Sequence, residues 1–208
     1  MSARLRILLI GASGVLGRAI AAELSPRHDI ISAGSKTGDI RIDITDPASI
    51  EAALKSVGPL DAVASAAGAV NFHPLSAIKP VALAESSYGL GLANKLMGQV
   101  NLALAARDVL REDGSITLIA GVLSLDPIVF GSSASMVNGA IESFARAAAI
   151  ELPRGLRINA VSPTVFEESM GSYGPFFRGS DPVPVARAAR AFSRSIEGRQ
   201  TGQVYRVV

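Results

Sequence analysis

Gly11-Ala-Ser-Gly-Val-Leu-Gly17 is the stretch whose residue types and spacing bear most directly on chemistry. It follows Leu5-Arg-Ile-Leu-Leu-Ile10, a short apolar run, and precedes Arg18-Ala-Ile-Ala-Ala-Glu-Leu24, where apolar residues recur at helical spacing. A strand that passes through glycines into a helix offers the helix's unpaired N–H groups and the positive end of its dipole to whatever the turn encloses. Glycines let the backbone turn tightly and come close to a pyrophosphate. The expected chemistry is dinucleotide binding, with Gly11, Ser13, Gly14, Val15, Leu16 and Gly17 along the phosphates.

Composition narrows the other possibilities. The chain has no cysteine, which excludes disulfides, thiolate nucleophiles and cysteine metal sites. His28 and His73 have no companions at metal-ligand spacing, so no metal is expected and both read as loop or strand-edge residues. Lys+Arg 20 against Asp+Glu 18 leaves +2, dispersed along the chain, which argues against a nucleic-acid partner. The longest basic feature, Arg187, Arg190, Arg194 and Arg199, reads as the solvated face of a C-terminal helix. No apolar run reaches the ~18 residues that cross a bilayer, so no membrane association is expected. Arg4 and Arg6 before an apolar run resemble a leader, but the glycine turn explains that stretch better, and the expected location is the cytoplasm.

Elements that position the turn follow from the pattern of the whole chain. Strands are expected at 5–10, 28–33, 40–44, 60–65, 114–119, 156–161 and 203–208. Helices are expected at 15–25, from Asp46-Pro47 to about 57, at 82–112 with an interruption near Gly89 and Gly91, at 132–152 and at 183–196. Residues 69–80 read as a loop and 163–182 as an irregular segment rich in Gly, Pro and aromatics. Alternating strands and helices imply an α/β, doubly wound parallel sheet of Rossmann type, about seven strands with helices on both faces. Nothing divides residues 1–208, so one dinucleotide-binding domain is expected, with its ligand at the carboxyl ends of the strands.

In this order the motifs resemble the short-chain dehydrogenase/reductase family over essentially the whole chain. Asp43-Ile44 is similar to the family's Asp-Val pair after the third strand, whose acid touches the adenine edge. Ser65-Ala-Ala-Gly68 is similar to its Asn-Asn-Ala-Gly turn. Arg157-Ile-Asn-Ala-Val-Ser-Pro163 and Thr201-Gly-Gln-Val204 resemble its later motifs. The glycine spacing, Gly-x-x-Gly-x-x-Gly, matches atypical members. The resemblance implies that Asp43, Ile44, Ala66, Ala67, Gly68, Pro163 and Val165 also line the cofactor, and that the two long helices form a homodimer or homotetramer. Leu102, Leu104, Ile141, Phe144 and Ile150 fit such a contact, being more apolar surface than one sheet face buries. After the second strand comes Gly34-Ser-Lys36, a hydroxyl and a cation where a carboxylate would select NAD(H). Ser35 and Lys36 favour NADP(H), with NAD(H) as the alternative.

The family's proton donor is a tyrosine with a lysine four residues later, and no Tyr-x-x-x-Lys occurs here. The resemblance places Ala134 at the tyrosine, Asn138 at the lysine, Gly121 at the serine and Lys95 at the upstream asparagine. Lys95, Asn138, Ser133 and Ser124 are the replacement candidates, with lysine the titratable group and the serines donors to a carbonyl. Ser132 and Ser133 also suit helix capping. Two readings stay open: a carbonyl/alcohol oxidoreductase acting on a small molecule, and a non-catalytic dinucleotide-binding sensor or partner subunit.

Overall fold

The computed structural model describes residues 4–208. Seven parallel strands lie in the order β3-β2-β1-β4-β5-β6-β7. They are β1 (Arg6–Ile10), β2 (Asp29–Gly34), β3 (Ile40–Arg41), β4 (Leu60–Ser65), β5 (Leu110–Ile119), β6 (Arg157–Pro163) and β7 (Val204–Val207). The order reverses beside β1, which puts a crevice at the carboxyl ends of β1 and β4. β1 alternates strictly: Leu8 and Ile10 join the core under α2 (Pro47–Val57), α3 (Gly98–Val109) and α4 (Ser132–Glu151). Ile7 and Leu9 join the opposite core under α1 (Val15–Leu24) and α6 (Val185–Glu197), the latter preceded by the single-turn α5 (Met170–Tyr173). A sheet buried on both faces explains why its strands read as unbroken apolar runs.

Several boundaries differ from expectation, each for a local reason. β3 stops at Arg41 rather than 44. Beyond it, Ser49 Oγ accepts the Asp43 amide at 3.0 Å, and Asp43 accepts the Thr45 amide at 2.9 Å, so side chains replace the ladder. The helix expected from 82 begins only at Gly89, and after two residues the stretch Gly91–Met97 is wound as a π-helix before α3. Upstream, Ser86 Oγ accepts the Tyr88 amide and Asn71 donates to the Ser87 carbonyl, which holds the chain in a loop. At its other end α3 stops at Val109, because Leu110 already opens β5 and pairs with Leu60. Between Leu110 and Gly114 that strand is kinked, with Asp113 at φ 59° and the register shifted.

Asp46 caps α2 by accepting the Ala48 amide at 2.9 Å, with Pro47 in its first turn as expected. α6 presents Arg187, Arg190 and Arg194 to solvent, but Arg199 lies beyond its end. Leu102 and Ile141 are wholly buried in the core rather than on an outward face, whereas Leu104 and Ile150 are 47% and 86% exposed. His28 is buried at the foot of the sheet. Its Nδ1 accepts the Leu5 amide, and its Nε2 meets Glu197 at 2.9 Å. Hydrogen bonds from the Arg27 guanidinium, foremost, and from Ser193 and His28 hold the Glu197 carboxyl down to about 2. Among the described residues, no helix is long and apolar enough to cross a membrane, and no group of acidic or imidazole side chains is placed to hold a metal.

Candidate functional site

The glycine turn leaves β1 with Gly11 at φ 80°, its amide bonded to the Ala33 carbonyl at 2.8 Å. A Cβ on Gly11 would stand 3.0 Å from the Ala66 backbone, and one on Gly17 would stand 2.0 Å from the Gly11 carbonyl oxygen. These two glycines are needed by the fold itself, for close packing of turn, helix and β4. Gly14 differs: its φ is −72° and a Cβ there meets nothing nearer than 3.4 Å. It opens α1 without a side-chain cap. The amides of Val15 and Leu16 follow in the first turn, where a helix has no acceptor of its own. The turn is shaped to receive an anion at a helix N-terminus.

Two cavities meet at Ala67 and Gly68. One, about 390 Å³, is lined by Gly11, Ser13, Ser35, Lys36, Asp43 and Ile44 among others. Asp43 carries one unspent oxygen there; its other accepts from the Thr45 hydroxyl and amide, which hold the carboxyl below its ordinary value. Asp39 folds away from the cavity and accepts from Ser32 instead. The second cavity, about 320 Å³, is a cleft lined by Val15, Leu16, Ala66, Lys95, Asn138, Pro163 and Val165 together with an apolar wall. A cleft in two halves joined over a glycine turn fits a dinucleotide, one half for each nucleoside. A larger hollow, about 880 Å³, opens at the opposite ends of the strands, away from the glycine turn, and three of its charged groups are already engaged. Asp61 holds Arg111, Glu197 holds Arg27, and Arg157 caps the Ser195 and Ile196 carbonyls.

In the cleft Lys95 Nζ donates to Asn138 Oδ1 at 2.7 Å and to the Ala120 carbonyl at 3.1 Å. The lysine comes from the π-helical turn, which is clamped to the end of β5 by buried Gln99. Gln99 Nε2 donates to the Lys95 and Ile119 carbonyls, and its Oε1 accepts the Ile119 amide at 2.8 Å. Two glycines make room for the pair. A Cβ on Gly68 would stand 2.5 Å from Lys95 Cγ, and one on Gly121 would stand 2.7 Å from Asn138 Nδ2. Burial pushes the lysine down from 10.5 to about 8.

Ser124 and Ser133 are placed elsewhere. Ser124 Oγ donates to Glu142 Oε1 at 2.8 Å, as does Ser162 Oγ. Ser133 is buried against Gly91, its hydroxyl without a partner, and the N-cap of α4 is Gly131. Ser132 meets the Tyr88 hydroxyl at 3.1 Å rather than a helix amide. Ala134, where the resemblance places tyrosine, does line the cleft. Sequence reasoning missed Asn94, whose Oδ1 accepts the Ala69 amide at 2.8 Å where the two cavities meet. It also missed Gln99 and Glu142. A polar residue amid apolar helix neighbours was the available signal for all three.

The sheet order and the glycine turn at its reversal define a doubly wound nucleotide-binding architecture. Residues 14–201 match the family model described as Enoyl-(Acyl carrier protein) reductase. The chain belongs to the short-chain dehydrogenase/reductase family of oxidoreductases. It is 28% identical over 182 residues to human L-xylulose reductase, spanning 80% of this chain and 73% of that one. The crystal structure of protein lin1944 from Listeria innocua superimposes with a TM-score of 0.94 at 47% identity, over 98% of this chain and all of that one. A small-chain dehydrogenase solved in complex with NADPH shares the fold, with a TM-score of 0.84 at 22% identity over 99% and 97% of the two chains.

Proposed function

We propose that this chain is an NADP(H)-dependent oxidoreductase interconverting a small carbonyl compound and its alcohol, with Lys95 as proton donor in place of tyrosine. The observation that carries the reading is the clamped Lys95–Asn138 pair in the cleft, with the lysine brought to about 8. A group that titrates near the working pH gives up and regains a proton readily. The cofactor supplies hydride when bound. Lys95 delivers a proton to the substrate oxygen, and the Asn138 amide donates a hydrogen bond that orients it. Gly11, Ser13, Gly14, Val15, Leu16 and Gly17 hold the phosphates, Asp43 and Ile44 border the adenine, and Ala66, Ala67, Gly68, Pro163 and Val165 line the rest of the cofactor.

Preference for NADP(H) over NAD(H) rests on Ser35 and Lys36, which line the first cavity, and on Asp39 being turned away to Ser32. Assembly of two or more copies through the outer faces of α3 and α4 is supported by exposed Leu104 and Ile150, with Met97 and Met136 also 44% and 43% exposed. Light scattering at micromolar concentration tests it, and a monomer mass removes it.

Turnover is measured as NADPH consumption against a panel of carbonyl compounds. Lys95→Met should lower it by about 10²–10⁴-fold. Full turnover in that variant defeats the mechanism. Ala134 and Asn138 at the family's tyrosine and lysine positions favour a second reading, a dinucleotide-binding sensor or partner subunit. That reading holds if the protein binds NADPH and reduces nothing in the panel.

A further inference from the structure

The cleft holds a cation without a counter-ion. Among the residues that line it, Lys95 is the only one with a charged side chain. The nearest carboxylate along α4, Glu142, accepts from the Ser124 and Ser162 hydroxyls instead. Both recorded acceptors of Lys95, the Asn138 and Ala120 oxygens, are neutral. A desolvated ammonium that meets only neutral oxygens is costly, and proteins pair such charges. Here burial alone depresses the lysine, with no opposing attraction from an acid.

The donors that remain specify the shape of the missing partner. An ammonium has three N–H bonds, and Lys95 spends two, leaving one. Among the described residues Asn138 Nδ2 donates to nothing, and it stands over the space left by the missing Gly121 side chain. Lys95 and Asn138 therefore offer two donors side by side, one charged. Two adjacent oxygens, one anionic, match them. The rest of the wall is apolar, with Val70, Phe72, Leu123, Phe166 and Phe177 around the same cleft. Phe72 stacks on Phe176 at 5.4 Å between ring centres and meets Tyr173 at 6.0 Å. Ala134 leaves empty the volume that a larger side chain would fill.

We propose that the substrate of this cleft is an apolar 2-oxo acid, its keto oxygen accepting the remaining Lys95 N–H and one Asn138 N–H, and its carboxylate accepting the other Asn138 N–H beside the ammonium charge. The proposal rests on the carbonyl-reducing reading above and names the substrate class within it. The reaction is R–CO–COO⁻ + NADPH + H⁺ → R–CH(OH)–COO⁻ + NADP⁺. The carbonyl π bond breaks, a C–H bond forms with the hydride, and an O–H bond forms with a Lys95 proton, which water replaces. A neutral carbonyl compound leaves the lysine unpaired. A polyol meets an apolar wall whose side-chain hydroxyls are those of Thr164, Ser169 and Tyr173. This cavity of about 320 Å³, at the small end of ligand pockets, which span about 300–1,000 Å³, must also take the nicotinamide half of the cofactor, so R is small.

Calorimetry on protein saturated with NADP⁺, which has no hydride to give, separates binding from turnover. The probes are benzoylformate, its neutral methyl ester and benzaldehyde. Benzoylformate should bind at least ten times more tightly than the ester at pH 7, as expected of a charge-assisted contact. The advantage should fade as the pH rises through about 8. Lys95→Met should erase it, Lys95→Arg should keep part of it, and Phe72→Ala should weaken acid and ester alike. Equal affinity of acid and ester, absence of benzoylformate binding, an advantage that survives Lys95→Met, or one that stays flat to pH 10 overturns the inference. NADPH consumption with neutral aldehydes alone leaves the oxidoreductase reading standing without it. Benzoylformate binding without turnover of any carbonyl compound leaves the anion site standing and removes that reading.

Discussion

Burial of Lys95 should be readable as a pH-dependent difference in stability between the wild type and Lys95→Met. The fall from 10.5 to about 8 corresponds, at about 1.4 kcal/mol per tenfold, to roughly 3 kcal/mol by which folding disfavours the ammonium. Water on the open side of the cleft screens part of this, so about 1–3 kcal/mol is expected. The folded value lies below the unfolded one. Below pH 8 both states carry the proton and the cost is present in full. Between pH 8 and 10.5 the unfolded chain binds more protons, so wild-type stability climbs relative to the variant. Methionine also strands the Asn138 Oδ1 and Ala120 acceptors, which costs about 1–3 kcal/mol of its own. That loss shifts the variant by a constant and leaves the slope untouched. Urea unfolding of both proteins at pH 7, 8, 9, 10 and 10.5 gives the difference directly, with every other titrating group cancelling. A difference that stays flat across that range refutes the claim that Lys95 is a desolvated, unpaired cation.

Gly14→Asp should abolish NADPH binding in a calorimetric titration while leaving the melting temperature unchanged or slightly raised. The position tolerates a side chain at φ −72°, and a carboxylate suits a helix N-terminus but repels phosphate. Retained affinity would show that the turn is not the phosphate site. Gly17→Ala should do the opposite and destabilise the fold, by about 2 kcal/mol or more, because its Cβ lands 2.0 Å from a backbone oxygen. An unchanged denaturation midpoint would contradict the packing described here. The wild type should bind NADP(H) at least about tenfold more tightly than NAD(H), and Lys36→Glu should invert the order; fluorescence titrations with both nucleotides decide, and equal wild-type affinities count against Ser35 and Lys36 as the phosphate contacts.

Most of the fold is written in periodicity. The apolar run of β1, Pro47 behind Asp46, and the Gly11–Gly17 turn each predict their element within a residue or two. The misreadings lie where side chains or neighbours override the local pattern. Residues 42–44 look like strand, but Asp43, Thr45 and Ser49 satisfy the backbone there. The apolar residues of α3 and α4 look too numerous for one sheet face, yet Leu102 and Ile141 are both in the core. Ser133 looks like a neighbour of the site because it adjoins Ala134. One residue along a helix is about 100° around it, and the hydroxyl faces Gly91 instead. Gln99 and Glu142 could be flagged but not interpreted, since a lone polar residue in an apolar helix acquires meaning only from partners far away in the chain.

The Lys95–Asn138 pair leaves a trace in the sequence of a different kind. Residue by residue the positions that the resemblance aligns with the family's catalytic set look empty: alanine for tyrosine, asparagine for lysine, lysine for asparagine, glycine for serine. The geometry makes these substitutions one arrangement. A long cation entering from the π-helical turn needs the Gly68 backbone bare beneath its stem, and the asparagine amide that receives it fills the space beside Gly121. Serine at 121 would collide with that amide, and lysine at 138 would set two ammonium groups against each other. Restoring tyrosine at 134 alone would therefore crowd a cleft built for a different donor. Ala134→Tyr with Asn138→Lys, Gly121→Ser and Lys95→Asn is the smallest coherent reversion, because Asn138→Lys clears the amide that a serine at 121 meets and Lys95→Asn removes the cation that a lysine at 138 would face.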